Sequence, residues 1–171
     1  MVEERAPASV SKSRIREVQE TDWPQVHDLV VVVATAGETY AMDVPQSVDE
    51  TREFWTGQQV VVAVDGETVL GSAKMGPNRP ARGSHVGTAS FMVAPEARGR
   101  GVGRALGEYV VQWHRDHGFR GIQFNAVVET NTAAVALWES FGFRIIGTVP
   151  GAFRSLSRGD VGLHVMYLDL A

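Results

Sequence analysis

The stretch VAPEARGRGVGRA, Val93 to Ala105, alternates Gly99, Gly101 and Gly103 and sets Arg98, Arg100 and Arg104 around them. Directly after it, Val102, Ala105, Leu106, Tyr109, Val110 and Trp113 recur at the spacing of one helical face. A glycine-rich turn entering a helix leaves several backbone N–H groups without partners, and the helix dipole adds partial positive charge there. That is an anion site suited to phosphate. Glycine lets a ligand approach the backbone closely, and arginine adds charge-assisted hydrogen bonds to a diphosphate or ribose phosphate. Read alone, the same turn is equally a solvated loop with surface arginines. Two other phosphate loops fail on spacing. GxxxxGK[ST] needs a Gly-Lys pair, which the chain lacks, and GxGxxG needs a third glycine where Arg104 or Leu106 stands.

The remaining reactive side chains are sparse. The chain has no cysteine, hence neither a thiol nucleophile nor a disulfide framework. His114 and His117 lie three residues apart near a helix C-terminus, where the reading is of solvated partners of the helix dipole. No third ligand has suitable spacing, so no metal is expected. Asn125 stands in mid-strand, where an inward amide needs partners or is costly to bury.

These residues need elements to position them. Arg14 to Val18 alternates as a short strand. Thr21 or Asp22 can cap a helix with Trp23, Val26, Leu29, Val30 and Val33 on one face, ended by Gly37. Glu38 to Met42 is a loop, and Ser47 starts a second helix through Phe54 and Trp55. Val60 to Met75 reads as two strands turning at Asp65-Gly66, and residues 76–84 as a turn-rich loop. His85 to Val93 is a strand running into the glycine loop, and the helix after it stops at Gly118. Gly121 to Val128 is a strand, Asn131 to Phe141 a helix, and Phe143 to Val149 and Val161 to Leu170 are closing strands. The order predicts an α/β fold with a mixed, mostly antiparallel central sheet of about seven strands and about four flanking helices. Residues 1–12 read as a flexible tail before a single domain at 13–171.

Composition excludes whole classes. At 171 residues, 44% apolar and 21% charged, the chain can bury one core and is not generally disordered. A net charge of −4 gives no basic footprint for nucleic acid. No apolar run reaches the roughly 18 residues of a membrane span, and the first dozen lack a signal-peptide core, so a cytoplasmic protein is expected.

The spacing that does match is R-x-x-G-x-G, Arg98 to Gly103. With V-x-P-x-x-R-G-x-G-x-G from Val93 and N-x-x-A-x-x-L-W-x-x-x-G-F from Asn131 to Phe143, the chain resembles the GNAT family of N-acetyltransferases. The resemblance implies a sheet splayed in the middle, with acetyl-CoA in the gap. Arg98, Gly99, Arg100, Gly101, Val102, Gly103 and Arg104 would wrap its diphosphate. Met92 and Val93 would pair with pantetheine, Asn131 would contact it while capping its helix, and Trp138 would pack beside it. The chemistry implied is direct acyl transfer, in which a neutral amine attacks the thioester and the enzyme supplies positioning and oxyanion stabilisation. Many relatives carry a proton-donating tyrosine where this chain has Trp138, which leaves Tyr167 or an unassisted thiolate. Glu129 and His85 are the base candidates, each also readable as structural.

A narrower resemblance, through Phe124 to Val127 and Glu129-Thr130-Asn131, is to the fungal acetyltransferases that detoxify proline analogues such as azetidine-2-carboxylate. It implies that Asn125 holds a substrate carboxylate, although Thr88 or Ser90 stands where a second amide is expected. The phosphinothricin-type acetyltransferases also act on amino acids, and in either case Glu38 and Tyr40 would line the acceptor pocket. The expected partner is a small-molecule amine, with neither nucleic acid nor membrane, and a homodimer stays open. The rival readings are a silent acyl-CoA-binding module and a protein N-acetyltransferase.

Overall fold

The computed structural model describes residues 13–171; the expected tail over residues 1–12 lies outside them. Strand β1 (Arg14–Glu17) leads into helix α1 (Trp23–Ala36), whose buried face is Trp23, Val26, Leu29, Val30 and Val33. Gly37 ends it at φ 65°, a left-handed C-cap that glycine adopts without penalty. Ser47 caps α2 (Val48–Phe54) by accepting from the Glu50 N–H at 3.1 Å. Strands β2 (Gln59–Asp65) and β3 (Thr68–Pro77) turn at Asp65-Gly66 as their sequence predicts. Then follow β4 (Val86–Val93), α3 (Val102–Asp116), β5 (Gly121–Val128), α4 (Thr132–Ser140), β6 (Arg144–Ser155) and β7 (Gly159–Asp169).

The seven strands form one sheet in the order β1-β2-β3-β4-β5-β7-β6. Every neighbouring pair is antiparallel except β4 and β5, which run parallel and meet only as Val86↔Gly121 and Gly87↔Ile122. Beyond that short seam the two strands diverge. The splay implied by the resemblance is therefore present.

Helices cover both faces of the first half-sheet, which is why β3 is buried along most of its length rather than on alternate residues. On one face Trp55, just past α2, donates from Nε1 to Ser72 at 2.9 Å, and Lys74 lies over the Phe54 and Trp55 rings. On the other, Val102 and Leu106 of α3 close on Gly71. The second half-sheet has its own core, Ile122, Phe124, Trp138, Phe143, Met166 and Leu168.

Two expectations need correction. His114 is not a solvated dipole partner: it is fully buried, with Nδ1 2.8 Å from the Val110 carbonyl and its ring against Gly87. Burial holds its pKa below the ordinary value, outweighing the backbone oxygens nearby. The apolar lid formed by Trp113 and Phe119 wins over the helix end. His117 alone is exposed, stacked on Trp113 at 4.1 Å. The closing strands are also longer than their periodicity suggests, and form a hairpin turning at residues 156–158. Pro150 and Gly151 interrupt the alternation, but β6 is an edge strand, which tolerates proline, and its ladder absorbs them by a register shift between Val149 and Phe153.

Candidate active site

The divergence of β4 and β5 opens a cleft of about 1020 Å³ through the middle of the sheet. One end is built by the glycine loop. Gly99 and Gly101 have φ of 75° and 81°, and a Cβ on either would meet nothing within 4 Å. The first bond of α3 runs from the Ala105 N–H to the Gly101 carbonyl at 3.0 Å, so the N–H groups of Val102, Gly103 and Arg104 precede the helical ladder. Arg98, Gly99, Gly101, Val102, Gly103 and Arg104 all line the cleft. An open glycine cradle with unladdered N–H groups and two arginines fits the diphosphate of acetyl-CoA. When bound, acetyl-CoA would supply the activated acetyl group. Arg100 is different: it turns away, and its Nη2 lies 3.4 Å from Asp65 Oδ2 at the β2–β3 turn.

The strand beside the gap also differs by one residue from expectation. In the β3–β4 ladder, Ala94 N–H donates to Leu70, two residues on from the Ser72↔Met92 pair. Antiparallel alternation therefore aims the backbone of Met92 at β3 and that of Phe91 and Val93 into the gap. Met92 is a core residue, whereas Phe91 and Val93 line the cleft. Composition cannot reveal this, because the parity is set by the partner strand.

Asn131 caps α4, accepting from the Ala134 N–H at 3.4 Å, and lines the cleft as well, so its two readings coexist. Trp138 is buried against Phe91 and Phe124, at ring separations of 4.5 and 5.0 Å, with an edge in the cleft.

The opposite wall comes from the α1–α2 loop and the β6–β7 hairpin. Glu38 accepts from Ser155 Oγ at 2.5 Å and from the Ser157 N–H at 2.9 Å. The Ser155 hydroxyl, the Ser157 N–H and the positive field of Arg158 together hold its pKa below the usual carboxylate range. The Leu156 N–H donates to Gly37, closing the clasp. Tyr40 reaches across to β4: its hydroxyl accepts from the Phe91 N–H at 2.9 Å and donates to the Phe91 carbonyl at 2.6 Å. Burial pushes the phenol up to about 12, only partly offset by that bond to the Phe91 backbone.

Asn125 also lines the cleft. The β5–β7 ladder shifts register between Phe124 and Val127, leaving Asn125 and Ala126 outside it and exposed. Asn125 Oδ1 accepts from Gln123 at 3.0 Å and Nδ2 donates to Asn78 at 2.7 Å. An amide nitrogen carries two hydrogens, so one remains for a ligand.

Three expected catalytic groups are absent from the cleft walls. Glu129 grips β7 instead, with Oε1 accepting from the Gly162 N–H at 2.5 Å. His85 is in an exposed turn before β4, at the closed end of the seam. Tyr167 pairs with Gln123 and its hydroxyl overlies Gly121, where a Cβ would stand 2.2 Å away. For Tyr167 the strand register, invisible locally, sends the side chain elsewhere. The wall groups that sequence reasoning missed are Phe91, Ser157 and Arg158. The last two stand in a turn fastened to the site by the clasp on Glu38, well over a hundred residues away. Among the described residues no group of three or more His, Asp or Glu is placed to hold a metal ion, and no helix is long and apolar enough to cross a membrane.

Comparison with known proteins agrees with this geometry. The GNAT acetyltransferase family model matches residues 15–143. The structure of a GCN5-related N-acetyltransferase from Kribbella flavida is 51% identical, with TM-score 0.90, covering 95% of this chain and all of that one. A phosphinothricin acetyltransferase from Sinorhizobium meliloti in complex with AcCoA shares the fold, at 21% identity and TM-score 0.83, over 94% of this chain and 89% of that one. The N-acetyltransferase aca1 of Schizosaccharomyces pombe is 29% identical over 136 residues, 69% of this chain, and the match spans 65% of that protein's length. The chain belongs to the GNAT family of acetyltransferases.

Proposed function

We propose that the protein transfers the acetyl group of acetyl-CoA to the amine of a small acceptor that bears a carboxylate, an amino acid or an amino-acid analogue. The observation that carries this reading is the acceptor wall. Asn125 is held on β5 by Gln123 and Asn78 with one N–H to spare, and Arg158, in the β6–β7 turn, lines the same cleft. Both are hydrogen-bond donors, and Arg158 carries charge, which suits an anionic group on the acceptor. Glu38, the carboxylate on that wall, has its oxygens occupied by Ser155 and Ser157 and opposes such a group less than a free carboxylate would.

Direct transfer fits the residues present. With no cysteine in the chain there is no thiol to carry the acetyl group, and one cleft is lined both by the glycine loop and by Asn125 and Arg158. Loss of an amide hydrogen bond to a carboxylate costs about 1.5–3 kcal/mol. Asn125→Ala is therefore expected to raise the acceptor KM at least about tenfold and leave the acetyl-CoA KM nearly unchanged. An unchanged acceptor KM, or a preference for polyamines or aminoglycosides without a carboxylate, would overturn the acceptor class.

A further inference from the structure

A chain of three amides crosses the sheet beside the cleft. Gln123 Nε2 donates to Asn125 Oδ1 at 3.0 Å, and Asn125 Nδ2 donates to Asn78 Oδ1 at 2.7 Å. Asn125 belongs to β5, whereas Asn78 directly follows β3, and β4 lies between those strands in the sheet. Asn78 itself is not on the cleft wall; its side chain meets the site only through Asn125, 47 residues away. Its backbone is fixed independently of that contact. The last β3–β4 pair is Pro77↔Gly87, and the Asn78 N–H continues the ladder by donating to the Val86 carbonyl at 2.8 Å. The two ends of an amide have nearly one shape and opposite chemistry. Were Asn125 turned end for end, its oxygen would face the Asn78 oxygen and its nitrogen the Gln123 nitrogen, two mismatched contacts. With Asn78 in place, a reversal requires all three amides to turn together. Without it, Gln123 can follow Asn125 by turning its own amide, and either orientation is satisfied.

We propose that Asn78 is a positioning residue for the acceptor: it fixes the orientation of the Asn125 amide, keeps its second N–H available, and so sets the site for a carboxylate. The inference rests on the reading of the acceptor as an amine that bears a carboxylate. A carboxylate offers oxygens only, and a held N–H donor matches it. A carboxamide offers an oxygen and an NH2 group, so it gains from an Asn125 that is free to present its own oxygen. Asn78 therefore bears on which acceptors are chosen as well as on how tightly they are held.

Asn78→Leu keeps the approximate size of the side chain, removes the accepting oxygen and leaves the backbone N–H on Val86. The common amino acids are offered one at a time with acetyl-CoA, and the one acetylated fastest is then compared with its own carboxamide. Asn78→Leu should raise the KM for that amino acid about tenfold, with kcat and the acetyl-CoA KM within about threefold of wild type. The preference for the carboxylate over the carboxamide, in kcat/KM, should shrink at least about threefold. A second readout separates positioning from a merely structural role. Added to Asn125→Ala, Asn78→Leu should change the acceptor KM by less than about twofold, because nothing is left to position. A structural role would add its full effect there. Should Asn78→Leu fail to fold, Asn78→Ser, whose hydroxyl stops one bond short of the Asn78 oxygen, carries the same expectations. If Asn125→Ala raises the acceptor KM while the Asn78 variant leaves it or the carboxylate preference alone, or adds its full effect in the double variant, the Asn78 assignment alone is wrong. If none of the amino acids is acetylated, or Asn125→Ala leaves the acceptor KM unchanged, the acceptor reading is wrong and this one falls with it.

Discussion

Gly101 carries two burdens that substitution can separate. Its φ of 81° is a left-handed conformation, and its missing Cβ faces open space at the cofactor end of the cleft. Gly118, one residue beyond the C-cap of α3, has φ 74° and equally open space, yet it lies outside the cleft. Alanine at either position costs about 1–2 kcal/mol of backbone strain. For a domain of this size that lowers Tm by roughly 2–4 °C per kcal/mol, so the two variants should melt alike, about 2–8 °C below wild type. Binding should differ. At Gly101 the new methyl occupies the open space in front of the loop at the cofactor end of the cleft, and blocking one charge-assisted bond there should weaken acetyl-CoA at least about tenfold, or 1.4 kcal/mol. Gly118→Ala should bind normally. Titration calorimetry below both melting transitions, with free CoA and acetyl-CoA, checks this. If Gly101→Ala binds as tightly as Gly118→Ala, the glycine serves only to start the helix, and the diphosphate lies elsewhere.

Gly87→Ala would place a Cβ 2.2 Å from His114 Cδ2 beside the seam, and overpacking there should cost about 1–3 kcal/mol or more, read as a lowered denaturation midpoint. Glu38→Gln bears on acid stability. Because the folded state holds Glu38 below its ordinary 4.5, the stabilisation is complete above that value and disappears as pH falls through the folded pKa. The melting temperatures of wild type and Glu38→Gln should therefore differ at pH 6 and converge toward pH 3; a gap that is constant with pH would refute the linkage. Tyr167→Phe should leave kcat within about twofold, since its hydroxyl overlies Gly121 outside the cleft; a large loss would restore it as a candidate acid.

Local patterns carried most of the scaffold. The Asp65-Gly66 turn, the Ser47 cap, the β5 limits and the glycine loop before α3 are each announced by a few adjacent residues whose backbone preferences agree with their place in the sheet. The cofactor end of the cleft was legible for the same reason, being almost one continuous segment. The acceptor end was not. Tyr40 finds Phe91 from 51 residues away, and Glu38 finds Ser155 from 117. Strand parity, which decides Phe91 over Met92, and the register shift that exposes Asn125 belong to neighbouring strands rather than to the segment itself. Periodicity places a residue on a strand; only the partner strand tells which atoms remain unused.

Since β4 and β5 share just two register pairs, the sheet is joined along its length by far less hydrogen bonding there than at any other boundary. The buried clusters divide at the same line, one built on β1–β4 with α1 and α3, the other on β5 and β7 with α4, bridged by Ala89 and Phe91. In terms of unfolding, this is the plane along which the molecule should come apart first, as two cooperative units of unequal stability. Native-state hydrogen exchange should then sort the amides of β5 and β7 into one isotherm and those of β2 and β3 into another; a single isotherm would show that the bridge suffices to make them one. A ligand lying in the gap and touching both strands would act as the missing ladder. It would raise the weaker unit toward the stronger by mass action, so that the substrate itself completes the cooperativity of the fold.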